Sequence, residues 1–113
     1  MRTLLELDER NFRHEVLNSP QPVLVNFWSD CDECSRQFVS TVETVAVEFT
    51  GRVKVARVNA VKNAGLANLC FVKTLPTLIY FADGIVRDRI VGEEQPEAIA
   101  YRLESLLLNP WCN

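Results

Sequence analysis

Two cysteines three positions apart, Cys31 and Cys34, carry the strongest chemical signal in the chain. They stand in Trp28-Ser29-Asp30-Cys31-Asp32-Glu33-Cys34-Ser35, where an apolar run gives way to residues with helical spacing. A thiol pair at a strand-to-helix junction suits dithiol redox chemistry, because the first turn of a helix offers unpaired backbone N–H groups that stabilise a thiolate. The carboxylates of Asp30, Asp32 and Glu33 share the same stretch and act in the opposite sense, and the two effects are of similar size. A metal centre is the weaker use of these thiols. No second C-x-x-C and no histidine pair supplies the remaining ligands of a four-coordinate site. His14, the single histidine, falls on the polar side of a candidate helix and reads as solvated. A dithiol carries its own electrons, so neither a metal nor an organic cofactor is expected.

The 113 residues form one domain, 1–113, long enough to bury roughly 65 % of the surface of the unfolded chain. A net charge of −3 argues against a nucleic-acid partner, which ordinarily leaves a basic patch. The start, Met1-Arg2-Thr3-Leu4-Leu5-Glu6, meets charge after two leucines and holds no signal-peptide apolar region, and no later run approaches a membrane span. The expectation is a soluble cytoplasmic monomer with no membrane partner. In a reducing compartment, four cysteines (Cys31, Cys34, Cys70 and Cys112) favour catalysis or metal binding over a structural disulfide framework.

The elements that would position the pair follow from periodicity. Thr3–Leu7 reads as a short strand, and Asp8 as the N-cap of a helix over Glu9–Asn18. Ser19-Pro20-Gln21-Pro22 ends that helix and leads into an extended segment. Val23–Trp28 is a buried strand, interrupted only by Asn26, whose amide needs partners inside a core. Phe38, Val42, Val45 and Phe49 place a helix over Ser35–Phe49, with Gly51 as its C-terminal cap. Val53–Asn59 alternates as a strand, and Asn63–Cys70 suits a short helix. Thr77–Phe81, Asp83-Gly84 and Ile85–Val91 form a β-hairpin. Glu97–Leu107 is a last helix before Pro110. Helix-connected strands are expected to be parallel and the hairpin antiparallel, giving an α/β domain with a central mixed sheet flanked by helices on both faces.

In this order the chain resembles the thioredoxin family over nearly its whole length. The matching segments are Val23-Leu24-Val25-Asn26-Phe27-Trp28, Val55-Ala56-Arg57-Val58-Asn59, Leu75-Pro76-Thr77-Leu78-Ile79-Tyr80-Phe81 with Asp83-Gly84, and Val91-Gly92. The resemblance implies a thioredoxin fold and a protein disulfide oxidoreductase. Cys31, the more exposed thiol, would attack a substrate disulfide, and Cys34 would resolve the mixed disulfide. Pro76 would follow a cis peptide bond facing the pair. Trp28, Leu75, Pro76, Thr77, Val91 and Gly92 would line the groove for the substrate chain. Partners would be protein disulfides and an upstream thioredoxin reductase, flavin- or ferredoxin-linked.

The sequence departs from the family pattern in four places. The family usually has W-C-G-P-C; here one residue fewer separates Trp28 from the first cysteine, and Asp32 and Glu33 replace Gly and Pro. Arg36, near the position of a family lysine, offsets only part of that charge. Asn26 stands where a buried Asp commonly handles the proton of the resolving cysteine, and an amide cannot accept that proton. Val39 stands where a helix-kinking proline is common. Asn26, Asp30, Asp32 and Glu33 are therefore expected to modulate the thiols. Cys70 reads as a structural thiol and Cys112 as a tail residue. The alternative function is a thioredoxin-like interaction or redox-regulatory module with little general reductase turnover.

Overall fold

The computed structural model describes residues 4–108. Five strands form one sheet: β1 (Leu5–Leu7), β2 (Val23–Trp28), β3 (Lys54–Asn59), β4 (Thr77–Ala82) and β5 (Ile85–Val91), in the spatial order β1-β3-β2-β4-β5. Strands β1, β3 and β2 run parallel, while β4 is antiparallel to both β2 and β5. Three α-helices accompany them: α1 (Glu33–Glu48), α2 (Ala64–Leu69) and α3 (Pro96–Leu108).

Alternation along the central strands divides the core into two layers. Leu24, Val55, Leu78 and Tyr80 face Phe38, Val42 and Val45 of α1, Phe49 at its C-terminal cap, and Ile99 and Leu103 of α3. Val23, Val25, Phe27, Ala56, Val58 and Ile79 face the other way, onto Phe12, Val16, Leu66 and Ala67. The expected mixed sheet covered on both faces is thus what forms, and β2 and β5 have the bounds that the periodicity predicts.

Three expectations are corrected. Asp8 does cap, its Oδ1 accepting the N–H groups of Arg10 (2.8 Å) and Asn11 (3.2 Å), but the helix expected over Glu9–Asn18 is a turn followed by a π-helical segment, Arg13–Leu17. Its first residues are spent on the Asp8 turn, and Asn18 N–H reaches back five residues to Arg13 O (2.9 Å). Phe12 and Val16 still face the sheet, as their spacing requires. Helix α1 begins two residues before the expected Ser35 and is unbroken past Val39, because the Asp32 side chain caps it. Finally, β3 and β4 are joined through a helix yet run in opposite directions. β3 ends with Asn59 opposite Trp28, and β4 begins with Thr77 opposite the adjacent Phe27. The chain therefore re-enters the sheet from the end at which it left.

Two glycines are required by their backbone. After α1, Arg52 and Val53 both donate to Phe49 O (2.9 and 3.0 Å), a return that Gly51 allows at φ +86°. In the hairpin, Asp83 and Gly84 have φ of +56° and +74° and link the paired residues Ala82 and Ile85, the geometry of a two-residue type I′ turn. Among the described residues no helix is long and apolar enough to cross a membrane. Thr3 and Cys112 lie outside the described residues.

Candidate active site

The site begins where β2 releases the chain at Trp28. Ser29, 1 % exposed, staples the loop: its Oγ accepts Cys31 N–H (3.1 Å) and its carbonyl accepts Asp32 N–H (3.2 Å). Asp32 is the N-cap of α1, with extended φ and ψ of −106° and 123°, and its Oδ2 accepts Ser35 N–H at 2.8 Å. Arg36 Nη1 donates to the Asp30 carbonyl (2.8 Å) and holds the loop against the helix. Cys31 thus precedes the cap and Cys34 lies in the first turn, as the spacing predicts. The cap itself, the position of strongest attraction for a negative charge, is taken by the Asp32 side chain.

Both thiols are free and exposed. The buried side chain of this turn is Ser35, at 0 % exposure. The 3-4-3-4 spacing of Ser35, Phe38, Val42, Val45 and Phe49 puts Ser35 on the stripe that docks on the sheet; Cys34, one residue earlier, is turned about 100° away. That spacing was visible in the sequence, and the serine was passed over because hydroxyls carry no apolar signal. Ser35 Oγ and Asn26 Oδ1 are both buried without a hydrogen-bond partner, Asn26 being 1 % exposed. The burial expected for Asn26 is found, and a partner for its carbonyl oxygen is not.

Charges gather around the thiols. Cys31 Sγ–H points to Asp30 Oδ1 (3.8 Å). The pKa of the Cys34 thiol is pushed upward, foremost by the nearby Glu93 carboxylate, then by desolvation and the charges of Asp32 and Glu33. Glu93 escaped the sequence reading, although it directly follows the Val91-Gly92 pair marked for the groove. Arg36 gives its hydrogen bond to a carbonyl and not to a carboxylate of this cluster. Burial likewise pushes the half-buried Cys70 thiol up.

The remaining expected residues meet at the same end of the sheet. The peptide bond Leu75–Pro76 is cis. Thr77 pairs with Phe27 on one side and Val91 on the other, so the start of β4 lies between the end of β2 and the end of β5. Pro76 is buried and Leu75 half-buried; Thr77, 1 % exposed, donates from Oγ1 to Thr74 O (2.6 Å). Gly92 turns away at φ +86° after its N–H meets Pro76 O at 2.8 Å. Val91 stays exposed on the rim. Trp28 is half-buried, its ring under the Arg57 guanidinium at 4.5 Å, and Arg57 Nε bonds Glu6 Oε1 at 2.7 Å. Among the described residues no cluster of three or more histidine, cysteine or acidic side chains could hold a metal ion.

The family model described as Thioredoxin matches residues 3–105. The chain is 32 % identical over 108 residues to Thioredoxin 1 of Nostoc sp., covering 95 % of this chain and 100 % of the relative. It is 35 % identical over 100 residues to Thioredoxin 1 of Synechococcus elongatus, with 88 % and 92 % covered. To the thioredoxin of Griffithsia pacifica it is 34 % identical over 91 residues, with 80 % and 83 % covered.

Proposed function

Because the chain belongs to the thioredoxin family and is a thiol-disulfide oxidoreductase, we propose that Cys31 and Cys34 are its working dithiol, in an atypical C-D-E-C active site. Its substrates are protein disulfides, and a reductase partner restores the dithiol. In the first exchange the Cys31 thiolate attacks a substrate sulfur and releases the other half as a thiolate. Cys34 then attacks Cys31 Sγ, releasing the second half and leaving the Cys31–Cys34 disulfide. An upstream reductase, flavin- or ferredoxin-linked, returns two electrons to that disulfide.

The observation that carries this reading is the placement of two free, exposed thiols at the start of α1, at the end of the sheet where Thr77 pairs with Phe27. Trp28, Leu75, Pro76, Thr77, Val91 and Gly92 form the docking groove. Asp30, Asp32 and Glu33 beside it disfavour acidic targets and, with Asn26, modulate the thiols. The protein works as a cytoplasmic monomer, without metal or organic cofactor and without nucleic-acid or membrane partners.

The alternative reading, an interaction or redox-regulatory module with little turnover, is favoured by one observation: a carboxylate, and not a thiol, holds the helix cap. Dithiol-driven reduction of a disulfide-bonded protein such as insulin decides between them. Turnover lost in Cys31→Ser, with mixed disulfides trapped on Cys31 in Cys34→Ser, is the expected result. Turnover that survives Cys31→Ser overturns the assignment. Partner capture that persists without either cysteine, and without turnover in the native chain, selects the module.

A further inference from the structure

The main chain of Trp28 is fixed, because its carbonyl accepts Ala60 N–H at 2.8 Å where β2 ends. Its ring is not fixed in the same way. The indole Nε1 is buried with no acceptor among the described residues, although a buried tryptophan usually finds one. The directional contact that the ring does make is with a cation: the Arg57 guanidinium lies over it, 4.5 Å from the centroid.

Arg57 is held in turn from the far side of the sheet. In β3 it stands between Glu6 of β1 and Asn26 of β2, and of these two neighbours only Glu6 is a carboxylate. Arg57 Nε donates to Glu6 Oε1 at 2.7 Å, with the Arg57 side chain 22 % exposed. Strand alternation puts Glu6, Arg57 and Asn26 in one row across the sheet, and Trp28, two residues beyond Asn26, on the same face. A guanidinium serves both contacts at once, since its plane stacks on a ring while its edge donates to a carboxylate. Trp28 and Arg57 line an open cleft together with Glu6, Asn59, Lys62 and Asp30. Asp30 joins that cleft to the thiol, its Oδ1 lying 3.8 Å from Cys31 Sγ.

We infer that Arg57 is a positioning residue of the disulfide exchange: anchored by Glu6, its guanidinium holds the Trp28 ring in the pose that receives the substrate chain beside Cys31. The inference rests on the reading of Trp28 as part of the docking groove and of Cys31 as the attacking thiol. Arg57 acts through the ring and not on the thiols. A ring fixed before the substrate arrives need not be ordered at the moment of binding. The substrate and the transition state gain equally from this, so loss of the contact raises KM and leaves kcat unaltered. A cation over a partly exposed ring is worth about a two- to fivefold change in population, which sets the expected rise in KM.

The test uses the full chain. In a Trp111→Phe background Trp28 is the remaining tryptophan, and acrylamide quenching of its fluorescence in the reduced protein reads how firmly the ring is held. Arg57→Met keeps a long apolar side chain without the charge. It should be quenched more readily and should raise KM for disulfide-bonded insulin about two- to fivefold at unchanged kcat. Arg57→Lys, which keeps the cation, should fall between Arg57→Met and the parent in both readouts. In Trp28→Leu, Arg57→Met should raise KM no further, because the two residues act as one unit. Cys31 alkylation by iodoacetamide, followed against pH in Cys34→Ser, should be the same with and without Arg57→Met. Unaltered quenching, a rise in KM that persists in full in Trp28→Leu, or a Cys31 profile that moves with Arg57→Met overturns the inference. Should Arg57→Met fail to fold, Glu6→Gln releases the anchor and leaves Arg57 in place; quenching and KM should then rise together, and quenching that stays put overturns the clamp. Turnover that survives Cys31→Ser refutes the dithiol assignment, whereas the quenching of Trp28 judges the hold of Arg57 without any turnover.

Discussion

Asp32 performs two tasks that its Asn and Ala variants separate. Its Oδ2 accepts Ser35 N–H at 2.8 Å and so starts α1, and its charge is among those that push the Cys34 thiol up. Alanine removes the cap bond, worth about 1 kcal/mol, together with the attraction of a carboxylate to the helix N-terminus, about 0.3–1 kcal/mol. Asparagine is as good a cap as aspartate and forfeits only the second contribution. For 113 residues the unfolding entropy is about 0.24 kcal/mol/K. Asp32→Ala should then lower Tm by about 5–8 °C and Asp32→Asn by about 1–4 °C. Both variants lack the charge, so both should move Cys34 alkylation to lower pH by the same amount. Calorimetry in reducing buffer at pH 7 and iodoacetamide labelling measure the two quantities. Equal melting of the two variants would refute the cap as the stabilising contact. A Cys34 profile unmoved in Asp32→Asn would refute the electrostatic link.

Asn26→Asp places a carboxyl where the amide oxygen has no partner. Burial raises the folded pKa of such a group above the unfolded value of about 3.9, so full stability is kept below that value and is lost as pH rises through the folded pKa, to a deficit of about 1–3 kcal/mol. Urea unfolding at pH 4 and pH 8 reads this difference. The same variant supplies the missing proton acceptor, so resolution of a Cys31 mixed disulfide should speed up and acquire a new pH dependence; an unaltered rate and profile would contradict the reading of Asn26. Gly84→Ala forces a side chain onto φ +74° and brings its Cβ to 2.8 Å from Leu17 O. It should cost more than about 1 kcal/mol in urea unfolding and leave disulfide reduction intact, because the hairpin turn lies at the end of β4 remote from Pro76.

The sequence by itself determined what depends on neighbouring residues. Continuous apolar residues marked β2, the positive φ tolerated by Asp83-Gly84 marked the hairpin, and apolar spacing together with Gly51 bounded the far end of α1. The C-x-x-C pair at a strand-to-helix junction, with Leu75-Pro76-Thr77 further on, was enough to indicate dithiol chemistry and the family. The tertiary structure decided what depends on packing between distant segments. The reversal of β4 is set by its pairing alongside β2, Thr77 opposite Phe27, which no local pattern states. Whether Cys34 or Ser35 is buried depends on how the first turn of α1 docks: consecutive residues differ by about 100° around a helix, and the sheet beneath takes Ser35. The Glu93 charge acts on Cys34 only because β5 returns the chain to the end of the sheet from which β2 released it. The identity of the thiols was thus local, but the control of their protons is set by contacts that only the folded chain creates.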